Sequence, residues 1–332
     1  MKIGSEILWL SEKDVHSLLT MKEALKTMED VFSLHGHGQI QMPVKVYLDF
    51  EPYGGDLRAM PAYIKGANPA AGVKIVNSNA KNPEKKLPAV SGVMVLNDPR
   101  TGLPLGLFAA GHLTGMRTGA AGGLAAKFLA RPESSVVGLV GCGRQAQPQL
   151  EALVENFKIR EVRVWGKTLD ESRGFEKQVR KKFPLKFVIC KDVQEACQAD
   201  IVVSTTPVRS PLIKMEWIRS GTHINVIGAD AAGKQELESG LLYKARVFVD
   251  AWDQASHAGE INVEVSKGNF SRDRLAGELG QVVAGIKQGR LNSSDITIFD
   301  STGLAIQDVA VSQLLFKKAL KLKKGKVLKF NG

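Results

Sequence analysis

Residues Val136 to Ala146, VVGLVGCGRQA, constrain this chain more than any other stretch. A β-branched apolar run climbs to Gly141, the chain turns tightly, and a helix leaves near Gln147. The small residues fall as Gly141-x-Gly143-x-x-Ala146. Gly141 permits the turn, Gly143 lets the backbone approach a pyrophosphate, and Ala146 lets the helix lie close to the strand. The start of such a helix offers unpaired N–H groups and positive partial charge to phosphates. Pro148 fits the first turn of that helix, and a second strand pattern, Glu161 to Trp165, follows at βαβ distance. The reading is a dinucleotide site with Gly141, Gly143, Arg144, Gln145 and Ala146 as cofactor-binding residues. A βα turn that holds no ligand is the competing reading.

From Ser135 onward the pattern alternates strand and helix. The strands are expected at Val136–Val140, Glu161–Trp165, Lys186–Ile189, Ile201–Ser204, His223–Ile227 and Val247–Val249. Helical stretches between most of them argue for an α/β fold with a doubly wound parallel sheet. Before Arg131-Pro132-Glu133, which reads as a linker, the pattern differs. A short strand at Ile7–Leu10 is followed by a helix from Thr20, with Met21, Ala24, Leu25, Met28, Val31 and Phe32 on one face. Residues 42–98 alternate in the β manner, with a hairpin at Gly54-Gly55, and Thr114 to Leu129 forms a helix of small residues. From Ile296 a turn at Gly303 leads into a long amphipathic helix that returns toward the first domain.

A length of 332 residues accommodates two domains, each with its own core. The net charge of +11 is concentrated at the end, where seven lysines lie between Lys317 and Lys329. That tail reads as a solvated helix end. It lacks the interleaved aromatics of a nucleic-acid surface, so no nucleic-acid partner is expected. Three cysteines without metal spacing and six histidines without ligand spacing predict no metal site and a reducing compartment. No signal-peptide pattern and no membrane-length apolar run is visible, so the expected location is cytoplasmic.

Five separated motifs then agree. GVKIVN at 72–77, GMRTGAAGGLAAKFLA at 115–130, GLVGCGRQA at 138–146, NVIGAD at 225–230 and STGLAIQD at 301–308 together resemble the ornithine cyclodeaminase/μ-crystallin family, in the family's order. The resemblance implies a Rossmann domain at 131–304. It also implies an α+β substrate-binding and dimerisation domain built from both chain ends, 1–130 with 305–332. A homodimer and nicotinamide chemistry on a small amino or imino acid follow from the same likeness. Family members include ornithine cyclodeaminases, archaeal-type alanine dehydrogenases and reductases of cyclic imines.

Hydride transfer at an amino-acid α-carbon needs a clamped carboxylate, a group exchanging protons with the nitrogen, and a nicotinamide facing the carbon. Arg117 suits the clamp, since a guanidinium offers paired donors. The family's active-site lysine falls at Lys74, and Lys45 stands where many relatives carry an arginine. Asp230 follows an apolar strand, where open α/β sheets bind ligands; with the resemblance it becomes the acid/base at the substrate nitrogen. Asp308 reads as a structural residue in a first helical turn. One departure is informative. The cyclodeaminase pattern carries a glutamate two positions before Met60-Pro61, whereas this chain has Arg58. A cation there repels the side-chain ammonium of ornithine and favours a small or uncharged substrate.

The second Rossmann strand ends in Trp165-Gly166-Lys167-Thr168, with no acid before Asp170. NAD sites place a carboxylate there for the ribose hydroxyls. Gly166, Lys167 and Thr168, with Arg144 nearby, therefore point to NADP(H) as the preferred cofactor and NAD(H) as the alternative. In the family the loop with Thr205 and Thr206 runs beside the nicotinamide. An NAD-dependent lyase acting on ornithine, and a non-catalytic binder of NADP(H) and an apolar ligand, remain as alternatives to the oxidoreductase.

Overall fold

The computed structural model describes residues 4–330. They fall into two compact units, one formed by the chain up to Arg117 together with the chain from Leu304 onward, the other by Thr118–Gly303.

The first unit begins with β1 (Glu6–Leu10), α1 (Glu12–Leu18) and α2 (Met21–Gly36). Ser11 and Thr20 cap the two helices, and Asp14 and Glu23 reach back to the cap N–H groups. The stripe Met21, Ala24, Met28, Val31 and Phe32 is buried, as its spacing requires. Then come β2 (Ile40–Gln41), β3 (Val46–Phe50), β4 (Gly55–Ile64), β5 (Ala70–Asn79), β6 (Val90–Asn97) and β7 (Pro104–Ala109). Strands β3 to β7 are antiparallel neighbours in chain order, and β1 joins β7 in parallel. The β3–β4 hairpin turns at Gly54, whose φ of +63° is in the left-handed region. Helix α3 (Ala110–Leu129) starts earlier than its sequence predicts. The Glu12 carboxylate accepts from the Gly111 and His112 N–H groups at 2.6 and 2.8 Å, which caps the helix from a distant part of the chain.

The second unit opens with β8 (Val136–Val140), α4 (Ala146–Asn156), β9 (Glu161–Trp165), α5 (Leu169–Val179), β10 (Lys186–Ile189) and α6 (Val193–Cys197). It continues with β11 (Ile201–Ser204), β12 (His223–Val226), α7 (Ser239–Lys244), β13 (Arg246–Val249), α8 (Trp252–Ala258) and α9 (Asn262–Ser266). It closes with β14 (Gly277–Glu278), α10 (Leu279–Val283) and β15 (Thr297–Asp300). All eight strands are parallel, in the order β10-β9-β8-β11-β12-β15-β13-β14. This is a doubly wound Rossmann sheet, and its strand order reverses between β8 and β11, the crevice where such sheets bind dinucleotides. Strand β15 is absent from the sequence reading, which placed 296 onward in the returning segment. Its four residues are all buried between β12 and β13, but only Ile298 and Phe299 are apolar, too short a run to read as a strand.

The units divide inside α3, not at the Arg131 turn. The second half of α3 lies against α4, where a Cβ on Gly119 would stand 2.4 Å from the Pro148 oxygen and one on Gly123 2.6 Å from Ala152 Cβ. Asn225 on β12 donates to the Gly122 carbonyl at 3.0 Å and ties the same segment to the sheet.

The chain then returns to the first unit as α11 (Ala305–Leu322) and β16 (Lys326–Lys329). Helix α11 lies across β4, β5 and β6 and against α2. Strand β16 pairs antiparallel with β1, so part of the lysine-rich tail is an edge strand and not a solvated helix end. Lysines on an edge discourage further strand pairing. Among the described residues, no helix is long and apolar enough to cross a membrane.

Candidate active site

In the first unit, strand alternation decides which side chains meet. Lys74 pairs across with Met60 and Met94, while Arg58 pairs with Tyr47 and Val76. All of these lie on the sheet face that α11 covers. The first turn of α11 places Gln307 and Asp308 over that face. Lys74 Nζ lies 2.8 Å from Asp308 Oδ2, and Arg117 Nε lies 3.1 Å from Asp308 Oδ1. Arg117 Nη1 also donates to Gln307 Oε1 at 2.6 Å. Lys74 is 1 % exposed, Arg117 5 % and Asp308 0 %. Burial pushes the Lys74 amine down to about 7, with the Arg117 charge adding to the fall and Asp308 opposing it. Half-buried Lys45 also acts to lower it.

Arg58 is held in a fork by Asp56, with Nε to Oδ1 at 3.1 Å and Nη2 to Oδ2 at 2.9 Å. Its guanidinium also lies over the Tyr47 ring, 5.4 Å from the centroid. The structure brings the expected Lys74 and Arg117 together on Asp308, which the sequence reading took as structural, and it adds Gln307 beside Arg117 and Asp56 beside the expected Arg58, neither of which the sequence reading named. The signal for Asp308 was present in the STGLAIQD motif. Its partners are far away in the chain, however, and only the returning helix brings them together.

The second unit carries the other group. Gly141 has φ +104°, and a Cβ there would meet Thr205 Oγ1 at 2.9 Å, so only glycine makes this turn. Gly143 is different, since a Cβ placed on it meets nothing within 4 Å. The backbone beside it is open to an approaching group. Ala146 begins α4 and its N–H donates to the Gly143 carbonyl at 3.0 Å, while Gln145, at the cap, gives the helix no side-chain cap bond and Pro148 needs no partner for an N–H. Gln145 Oε1 is buried with no hydrogen-bond partner in the described structure. Arg144 is exposed on the same turn. These features fit a dinucleotide pyrophosphate.

At the end of β9 the structure adds a carboxylate. The Lys167 N–H donates to Glu171 Oε2 at 2.9 Å. Thr168 is the N-cap of α5, its hydroxyl accepting from the Glu171 N–H at 3.2 Å. Gly166 is hemmed in, since a Cβ would stand 3.1 Å from both Cys142 Sγ and Glu171 Cβ. Thr205 Oγ1 donates to the Gly141 carbonyl at 3.3 Å, and Thr206 is buried against Glu236. Asp230 lies on the loop after β12, part-exposed, in an ion pair with Lys234 that the sequence reading did not foresee.

Among the described residues, no group of three or more His, Cys, Asp or Glu side chains is placed to hold a metal ion. A groove of about 540 Å³ between α2 and α11, lined in part by Asp30, Leu34 and Gln313, contains none of these candidate residues.

The sequence model of the ornithine cyclodeaminase/mu-crystallin family matches residues 6–323. The alanine dehydrogenase of Archaeoglobus fulgidus is 49 % identical over 335 residues, spanning 98 % of this chain and 99 % of the relative. A solved archaeal alanine dehydrogenase dimer with bound NAD matches with a TM-score of 0.93 at 48 % identity, covering 98 % of this chain and 99 % of that one. The Thermococcus litoralis Δ1-pyrroline-2-carboxylate reductase in complex with NADH and L-proline also gives a TM-score of 0.93, at 34 % identity, covering 96 % and 99 %. The agreement extends over nearly the whole chain, and this protein belongs to the ornithine cyclodeaminase/mu-crystallin family.

Proposed function

We propose that this chain is a nicotinamide-dependent oxidoreductase of a small α-amino or α-imino acid. One observation carries the substrate class: Lys74 and Arg117, both buried, share the single carboxylate of Asp308. Two buried cations against one anion leave an excess of positive charge that a low-dielectric site penalises. A substrate carboxylate restores the balance and accepts paired bonds from the remaining guanidinium donors. Lys45 adds a second, weaker contact.

The nicotinamide, when bound, supplies or accepts hydride at the α-carbon. Lys74 and Arg117 fix the carboxylate and so orient that carbon. Lys74 holds a proton that exchanges near neutrality. On the family resemblance, Asp230 exchanges the proton of the substrate nitrogen. Arg58, neutralised in part by Asp56, places a cation where ornithine would need an anion. This disfavours the ornithine lyase. The paired charges of Lys74, Arg117 and Asp308 disfavour a binder without catalysis, which has no use for a buried lysine titrating near 7.

Alanine, formed from pyruvate and ammonia, is the first substrate, supported by the 49 % identical relative and by Arg58. A cyclic imine is the second, supported by the reductase structure with L-proline. A panel of keto acids with ammonia, and of cyclic imines, run with NADH and NADPH, tests the assignment. Turnover of pyruvate plus ammonia above every cyclic imine is expected, and the reverse order replaces alanine with the imine.

The cofactor is a nicotinamide dinucleotide on the β8–α4 turn. NAD and NADH are bound in the two solved relatives. The finer preference for NADP(H) rests on Lys167, and Glu171 now stands against it. The choice is a balance between that ammonium and that carboxylate.

We propose a homodimer through the uncovered face of the first unit's sheet. Val46, Leu48, Ala59, Val73, Ile75 and Val93 share that face. Val46 and Leu48 are each 54 % exposed. An antiparallel sheet apolar on both faces, with helices on one, calls for a partner on the other. The solved archaeal relative is a dimer.

A further inference from the structure

Asp230 sits on a loop whose two ends are fastened by one carboxylate. Glu236 is fully buried. Its Oε2 accepts from the N–H of Gly228, where the loop begins, at 2.7 Å. Its Oε1 accepts from the Thr206 N–H at 2.7 Å, from the Thr206 hydroxyl at 2.6 Å and from the Ser204 hydroxyl. One oxygen thus holds the loop after β12, and the other holds the loop after β11. The two loops also touch through their backbones, since a Cβ on Gly228 would stand 2.1 Å from the Thr206 oxygen.

The Glu236 backbone is fixed as firmly as its side chain. Glu260 accepts from the Glu236 N–H at 2.9 Å and from the Leu237 N–H at 2.7 Å. The Glu236 carbonyl accepts from Leu212 and Ile213 at 2.9 and 3.0 Å. Midway along the loop, Asn262 accepts from the Gly233 N–H at 2.8 Å and donates to the Lys234 carbonyl at 2.9 Å. Lys234 is the residue that pairs with Asp230. Burial raises the Glu236 carboxyl above its ordinary range, and its hydroxyl and N–H donors act against that rise. Four donors converge on two acceptor oxygens, an arrangement that an amide reproduces poorly, because one of its ends donates.

We propose that Glu236 is a positioning residue for the reaction: one buried carboxylate that locks the Asp230 loop to the Thr205–Thr206 loop. This rests on the assignment of Asp230 to proton exchange. The lock matters because an acid/base group must stay within hydrogen-bond reach of the reacting nitrogen, and a displacement near one ångström is costly.

The test uses the full chain and Glu236→Gln. In the protein without cofactor, hydrogen–deuterium exchange should rise together in segments 204–207 and 228–236. The kcat should fall on the order of 100-fold, while KM and the NADH dissociation constant, read by fluorescence titration, move less than about threefold. In an Asp230→Asn background the same change should cost less than about twofold, because the two residues act through one step. Exchange that rises in only one segment, or in neither, overturns the inference. So does a kcat within about threefold of wild type, or a loss that multiplies with Asp230→Asn. If Glu236→Gln does not fold, Ser204→Ala removes one donor to the same oxygen from within β11 and is read identically. Full activity in Asp230→Asn defeats the underlying assignment and this inference with it. An inactive Asp230→Asn beside an unaffected Glu236→Gln defeats this inference alone.

Discussion

Asp308 governs Lys74, because its carboxylate lies 2.8 Å from the amine where water does not reach. The amine is brought down to about 7 by burial and by Arg117, and Asp308 works in the opposite direction. Lys74 holds the substrate carboxylate as an ammonium, so kcat/KM should fall as pH rises through an inflection near 7. Asp308→Asn removes the group that favours the ammonium, and the inflection should move down by about 1–3 pH units. Arg117→Met removes a cation that disfavours the ammonium, so there the inflection should move up. Both variants should also lose activity, Arg117→Met by roughly 30- to 1000-fold in kcat/KM. An inflection that ignores both changes excludes Lys74 as the titrating group. These cations were legible in the sequence because motif spacing carries residue identity. The anion that joins them was not, because the contact needs α11 laid across β5, and nothing local in either segment encodes that approach.

The turn between β8 and α4 separates conformation from contact. Gly141 is held by its φ of +104° and by Thr205, whereas Gly143 has free space around its missing Cβ. Gly143→Ala should therefore leave the melting temperature unchanged and weaken NADH binding by about tenfold, if the pyrophosphate lies against that backbone. Unchanged NADH affinity in a folded Gly143→Ala would place the phosphates elsewhere. At the end of β9, Glu171→Gln should raise the ratio of kcat/KM for NADPH over NADH by roughly tenfold, and Lys167→Ala should lower it, each by one charge-assisted contact. Gly166→Asp is a poor probe of this choice, since its Cβ is crowded by Cys142 and Glu171. The parallel strands flanking this turn were legible from their short apolar runs. Glu171 was not, because it reaches the strand end from within a helix, and β15 escaped because its apolar run is only Ile298-Phe299 between Thr297 and Asp300.

The two units carry different parts of the candidate site, and the chain ends supply a sheet whose outer face is apolar and uncovered. Leu48, 54 % exposed there, contributes little to the fold of one chain. Leu48→Asp should leave stability within about 0.5 kcal/mol per chain and raise the dimer dissociation constant at least about tenfold, measured by sedimentation. A wild-type chain that sediments as a monomer at micromolar concentration would remove the dimer from the account. The central claim concerns the reaction, and it is tested by following the nicotinamide absorbance band with pyruvate and ammonia while amino acid is assayed in the same sample. The account predicts net NADH or NADPH consumption equal to the alanine formed, abolished in Lys74→Met. Ammonia released from ornithine with no net change in the nicotinamide band would contradict it and make the protein a lyase.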